Sequence, residues 1–294
     1  PQETAFDELG NLFTADNDSD QGDKERFVYV VQGADAGWRV GWQHHPIGNK
    51  HNPWLAQSLW EPRDPAKKQP AQVLSPIMNI PDGPSGIAYY PGTGMPDDFR
   101  NRFFVCSFKG STAKSAINSW SVKPSGAGFT VDKASEEFIG NTQATDVEFG
   151  PDSRMYLSDW GSEGWESKGT GRIYRISHDA SRLAQSAQIN EVQSLLKDGF
   201  ARRPSIELTR LLSHKDQRIR LRAQWALADR PDAVAMFESV LVSSKERLAR
   251  LHALWGLGQA ARRGQREGSG PLDAKALAML SQTLTDSDPE VRAN

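Results

Sequence analysis

Cysteine is almost missing from this chain: Cys106 stands alone among 294 residues. One thiol cannot form an intrachain disulfide, a zinc–thiolate cluster or a CxxCH haem attachment, so all three are excluded within the chain. Long apolar runs are missing too. No stretch approaches the ~18 apolar residues of a membrane-spanning helix, and mean hydropathy is −0.60. Neither charge sign is in surplus, since 35 Lys and Arg face 37 Asp and Glu for a formal net charge of −2. That balance argues against nucleic acid or an anionic membrane as the main partner. An initiator Met and a signal peptide are also absent. The chain opens with Pro1 directly before a strand and stops in "DPEVRAN", inside an expected helix, so it reads as an internal piece of a longer protein.

Strand pairs fill the first half. "FDELGNLFTADN" (6–17) and "FGPDSRMYLSDW" (149–160) align at a constant offset of 143, which matches Phe6 with Phe149, Leu12 with Met155, Phe13 with Tyr156 and Asp16 with Asp159. Each copy is a short apolar strand, a polar turn, and an alternating strand that ends in Asp. "GIAYYPG" with "RNRFFVCSF" (86–108) is a more diverged copy with a longer turn, and "RFVYVV" and "GRIYRI" add further strands. A β unit recurring every ~50–70 residues is how propeller blades read. A β-sandwich is the competing architecture, and the repeated turn-plus-Asp signature favours the propeller. Residues 1–178 hold about three antiparallel blades, and a ring needs at least four to close, so the others are expected before residue 1. Trp38 and Trp42 are assigned to blade packing.

From Asn190 onward Leu, Ala and Arg dominate. "RIRLRAQWALAD" (218–229) recurs as "LARLHALWGLGQ" (248–259) at an offset of 30. Leu221, Trp225 and Ala228 share helical spacing and are read as one apolar face, with the Trp residues in the core. Asp216 and Arg220 return as Asp288 and Arg292, an Asp-x-x-(Ile/Val)-Arg start to the second helix of a HEAT-like pair. The Asp is expected to cap that helix. The fold expected is thus multidomain β + α: a partial propeller over 1–178, a linker over 179–189, and an α-solenoid of HEAT-like repeats over 190–294. "GQREGSG" (264–270) is read as an insertion loop.

"TADNDSDQGDKER" (14–26) is the most oxygen-rich stretch. It is not an EF-hand, because the sixth position holds Gln21 instead of the turn glycine and the twelfth holds Phe27 instead of the closing Glu. It remains a candidate cation loop, with Asp16, Asn17, Asp18, Asp20 and Asp23 as ligands and backbone carbonyls completing the oxygen shell of Ca²⁺.

The acidic loop, the strand after it and the Gly-x-x-x-Gly-Trp of "FVYVVQGADAGWR" together resemble the soluble quinoprotein glucose/sorbosone dehydrogenases. "FRNRFFVCSFKGS" is similar to that family's strand carrying a Lys that contacts the quinone, here Lys109, and "TDVEFGPDSRMYLSDW" resembles its last-blade strand pair. With "SDWGSEGW", "GRIYRI" and "RLHALWGLGQ" added, the whole chain resembles the "membrane-bound dehydrogenase" proteins of planctomycetes and related bacteria, a propeller followed by HEAT repeats. The resemblance implies an exported, periplasmic or cell-surface oxidoreductase acting on a sugar or alcohol. It also implies Ca²⁺ and pyrroloquinoline quinone (PQQ) at the propeller face, and a c-type cytochrome domain, with its haem c outside this chain, as electron acceptor. The sequence departs from the family where two Arg hold the quinone, because Gln143 and Thr145 stand there. Each lost contact is worth about 1.5–3 kcal/mol. The family's catalytic His would precede residue 1, which leaves His44 and His45 of "GWQHHP" as the candidates here. The alternative is a non-catalytic propeller–HEAT scaffold that binds glycan or protein.

Overall fold

Alternation of apolar and polar residues, broken by Gly, Asn and Asp at the turns, sets the first half as antiparallel sheet. The computed structural model describes residues 3–17, 25–33, 76–263 and 272–294. The acidic residues Asp18, Asp20 and Asp23, the His44–His45 pair, Trp38, Trp42 and the 264–270 loop lie outside the described residues. Two compact units divide the chain: one holds residues 1–90, 98–150 and 154–177, the other residues 91–97, 151–153 and 178–294.

The first unit contains three sheets. One runs β1 (Thr4–Phe6), β2 (Leu12–Asp16), β3 (Arg26–Val30), β4 (Met78–Asn79). The second runs β5 (Pro84–Tyr89), β6 (Arg102–Ser107), β7 (Ala116–Ser125), β8 (Gly128–Gly140). The third is β9 (Ala144–Phe149), β10 (Met155–Asp159) and β11 (Arg172–Ile176). Every strand pairs antiparallel with its neighbour in sequence order within its sheet. The expected repeat is present as register: Phe6 pairs with Leu12, and Phe149 with Met155.

Aromatic rings join the sheets. Phe13 stacks on Phe27 at 5.4 Å between centroids and meets Phe103 of β6 edge-on at 4.9 Å, while Trp120 of β7 meets Phe27 at 5.1 Å. These offset and edge-on arrangements suit the ring quadrupoles. On its other face β6 sends Phe104 against Phe149 of β9, at 5.7 Å. Covered on both faces, β6 is buried along its whole length, which explains the continuous apolar run "FFVC". Burial drives the Cys106 thiol well above its ordinary range, and Asp146 and Glu3 add to the rise, so it is an inert core residue. The approach of β5 to β9 requires glycine at 86, where a Cβ would lie 2.5 Å from Asp146 Cα.

The second unit is helical. Eight helices are present among the described residues: α1 (Asp179–Ala184), α2 (Ser186–Asp198), α3 (Ser205–Leu211), α4 (Gln217–Ala228), α5 (Ala233–Ser243), α6 (Arg247–Ala261), α7 (Ala274–Thr283) and α8 (Pro289–Ala293). Within residues 179–189, the expected linker, lie α1 and the start of α2, and His178 Nδ1 caps α1 by accepting from Ser181 N. Asp216 and Asp288 cap α4 and α8 in the same way, accepting from Arg218 N at 3.0 Å and Glu290 N at 2.9 Å. Arg220 and Arg292 then donate to the carbonyls six and five residues upstream: His214 and Lys215 in one case, Asp286 and Ser287 in the other.

Of the expected apolar face of α4, Ala228 is buried and Leu221 half-buried, but Trp225 is not a core residue. Trp225 is 47 % exposed, and the buried residues are Ile219, Arg220, Ala223, Gln224, Leu227 and Ala228. Two polar residues are among them, both bonded to the imidazole of α6: Arg220 Nε donates to His252 Nε2 at 3.2 Å, and His252 Nδ1 lies 2.6 Å from Gln224 Oε1. Burial, aided by the Arg220 charge, lowers the His252 pKa to about 3, so the imidazole is neutral. No described helix is long and apolar enough to cross a membrane.

Candidate functional site

Two loops leave the first unit at neighbouring strand ends. Loop 108–115 follows β6, and loop 160–171 follows β10. The first is folded back on itself by a short turn over Thr112–Lys114, where Ser115 Oγ donates to Ser111 O at 2.7 Å and accepts from Lys109 N at 2.9 Å. The second is tied internally by Thr170, whose hydroxyl donates to Gly161 O at 2.6 Å.

The loops also bind each other. Gly164 N donates to Gly110 O at 2.7 Å, and Thr112 N donates to Glu163 Oε1 at 3.0 Å. Gln143, at the entry to β9 and 1 % exposed, clamps both: its Nε2 donates to Ser162 O at 2.7 Å and to Thr112 Oγ1 at 3.1 Å. Asp159 closes the arrangement by accepting from Thr142 Oγ1 at 2.8 Å and Gln143 N at 2.9 Å. Trp165 lies over Gly110, where a Cβ would come 3.0 Å from the indole, and meets Phe108 edge-on at 5.1 Å. Gly110 has φ +63°, so an L side chain there is disfavoured on both counts.

The result is a held surface. Trp165 is 72 % exposed although its position is fixed from below. The hydroxyl and amide of Thr112 hold the Glu163 carboxyl below its usual range, with smaller help from Ser111 and Lys168, so it is ionised at neutral pH. Lys109 is half-buried immediately before Gly110 and has no ion-pair partner among the described residues. A flat exposed ring two residues from an ionised carboxylate suits a ligand with one apolar face and several hydroxyls. Glu163 and Trp165 were not among the residues singled out from sequence. Their signal was the pair of glycines in "WGSEGW", which mark a turn that positions a side chain.

Lys109 lies in the first of these loops, and the two positions where a quinone-binding Arg is expected are committed to internal hydrogen bonds. Gln143 is the clamp, and its remaining buried atom, Oε1, is an acceptor without a donor among the described residues. An acceptor repels a carboxylate. Thr145 Oγ1 is 2.9 Å from Ser158 Oγ across the β9–β10 pair. Asp16 ends β2 opposite Arg26 and forms a buried ion pair with it, while Asn17 is exposed. Among the described residues no group of three or more His, Cys, Asp or Glu side chains is arranged to hold a metal ion.

No protein-family model and no curated protein matches the sequence. Among solved structures, an oxidoreductase (glucose dehydrogenase) from Thermus thermophilus is similar with a TM-score of 0.40 and 17 % identity, over 59 % of this chain and 44 % of that one. Two further glucose dehydrogenase structures are similar with TM-scores of 0.41 at 16 % and 18 % identity, each over 60 % of this chain and 44 % of theirs. The chain thus spans less than half the length of these neighbours. Likeness at this level decides neither fold nor activity for this protein.

Proposed function

We propose that this chain carries the substrate-facing part of a dehydrogenase-like oxidoreductase for a sugar or other polyol, built as a β-propeller followed by HEAT-like repeats. The carrying observation is the interlocked loop pair: Glu163 and Trp165 are brought together over the buried Gln143 and Gly110, with Lys109 next to Gly110 in the first loop. The three meander sheets, two of them with a shared hairpin register, support the propeller, and the twice-used Asp cap with its Arg clamp supports the helical repeat. Export, and a c-type cytochrome as electron acceptor, belong to the same reading.

PQQ carries three carboxylates, which a binding site must offset with cations. The described residues do not fit it. Among them Lys109 is the one half-buried cation of the two loops, and Gln143 and Thr145 are spent on internal hydrogen bonds. No step is therefore derived through a quinone. Ca²⁺ would be held by Asp16, Asn17, Asp18, Asp20 and Asp23. Of these, Asp16 fits least, since Arg26 already neutralises it. In the proposed role Trp165 takes the C–H face of the sugar, while Glu163 accepts from and Lys109 donates to its hydroxyls. His44 and His45 are the candidates for the base that takes up the hydroxyl proton.

The test is a dye-linked oxidation assay of the full-length protein against a panel of sugars and alcohols, with and without added Ca²⁺ and PQQ. Sugar-dependent dye reduction that falls at least tenfold in Trp165→Ala is the expected result. Absent dye reduction under every condition would overturn the oxidoreductase and leave the second reading, a glycan-binding scaffold without turnover. The observation favouring that second reading is the buried commitment of Gln143.

A further inference from the structure

Carboxylates gather where β1, β5 and β9, the first strands of the three sheets, come together. Glu3 enters β1 with its carbonyl fixed by Thr14 Oγ1 of β2, which donates at 2.6 Å. Its side chain reaches β5, where Oε2 accepts from Ile87 N at 2.7 Å. Asp146 of β9 comes to the same stretch of β5: a Cβ at Gly86 would lie 2.5 Å from its Oδ1. The Glu3 and Asp146 carboxyls are hydrogen-bonded to each other, and Glu148, two residues along β9, adds its charge from nearby. Here β5 offers only backbone, and β6 contributes the Cys106 thiol, which burial keeps neutral. Among the described residues no Lys, Arg or His bears on Glu3.

Ionised carboxylates only accept hydrogen bonds, so a bond between two of them requires a proton on one. Two like charges that close resist ionising together, and the pair titrates as a unit. We propose that Glu3 and Asp146 share one proton and form a pH-sensitive lock, closed in mild acid, that fastens β1 to β5 and β9. Burial holds the Glu3 carboxyl above its ordinary value of 4.5, and the charges of Asp146 and Glu148 add to the rise against the opposing donation from Ile87 N. A carboxyl whose pKa is higher in the folded chain than in the unfolded one binds its proton more tightly when folded. Its contribution is therefore complete below the ordinary value and is lost as pH rises through the folded one. Toward neutral pH the lock loosens, because an ionised Glu3 keeps Ile87 N but faces two carboxylates. The lock is separate from loops 108–115 and 160–171 and stands whether or not they bind a sugar.

The test is the melting temperature of the full-length protein between about pH 4.5 and pH 8, for the parent, Glu3→Gln, Asp146→Asn and the double variant. An amide at either position supplies the shared hydrogen bond at every pH, and Gln keeps an acceptor for Ile87 N. Each single variant should match the parent at the acid end and become at least about 2 °C more stable at the alkaline end. The double variant should gain nothing beyond either single one, since both remove the same repulsion. Parallel curves for the parent and Glu3→Gln, or variants less stable than the parent at the alkaline end, would overturn the lock. A pH dependence of the parent that added Ca²⁺ abolishes would overturn it too, because the carboxylates would then share a cation instead of a proton.

Discussion

The hairpins β1–β2–β3 and β9–β10–β11 are built on one register and finish differently. In both, the second strand ends in Asp opposite an Arg on the third: Asp16 pairs with Arg26 and Asp159 with Arg172. In the first copy the pair is buried as an ion pair. In the other, Asp159 turns to Thr142 and Gln143, and Arg172 is exposed and donates to the Tyr174 hydroxyl at 3.0 Å. The intervening loop is three residues longer there, 160–171 against 17–25. The same Asp thus serves as a strand lock in one copy and as a loop anchor in the other. What the repeat preserves is the hairpin, and what it varies is the loop that reaches outward.

This contrast can be broken at four places. Asp16→Ala should have the largest effect, about 3–5 kcal/mol of lost stability in urea unfolding, because it removes one partner of a buried ion pair. The loss should be the same with Ca²⁺ or chelator, and a loss seen only with Ca²⁺ would make Asp16 a metal ligand instead. Asp18→Asn with Asp20→Asn should do the reverse. Unfolding in chelator should be unchanged, while the stabilisation by Ca²⁺, about 2.7 kcal/mol at a hundredfold excess over Kd, should disappear. If Ca²⁺ stabilises neither protein, the loop is merely solvated. Asp159→Ala should cost about 1–2 kcal/mol through two lost hydrogen bonds. Faster amide exchange should then appear across 160–171, and unchanged exchange there would remove its role as anchor. Arg172→Ala should be within about 0.5 kcal/mol of the parent, as for surface positions generally. An effect matching that of Asp16→Ala would mean the two copies do not differ.

The hairpins were legible because their signal is local. Phe6 with Leu12 and Phe149 with Met155 could be read as strand–turn–strand from alternation and turn residues alone. The helix caps at Asp216 and Asp288 were legible for the same reason. The inner face of α4 was not, because Arg220 and Gln224 are buried only by virtue of His252, 28 residues beyond Gln224, and no periodicity of apolar residues reports such a partner. At the candidate site Lys109 came from a motif. Gln143 was noticed for the charge it lacks, whereas its actual work, clamping two loops, depends on Ser162 and Thr112 at long separation. Trp165 looks like any other Trp in the sequence, and its exposure on a fixed support is a purely tertiary fact.

The central claim is that the surface made by loops 108–115 and 160–171 meets a sugar. Its most direct test is the intrinsic tryptophan fluorescence of the full-length protein titrated with monosaccharides, compared with Trp165→Phe and Trp165→Ala. The account predicts a saturable change in the parent. Trp165→Phe, which keeps an aromatic face, should bind by calorimetry within a few-fold of the parent, and Trp165→Ala should bind at least tenfold more weakly at an unchanged melting temperature, about 1.4 kcal/mol of lost contact. Equal affinity of the parent and Trp165→Ala, or no saturable change with any sugar, would contradict it.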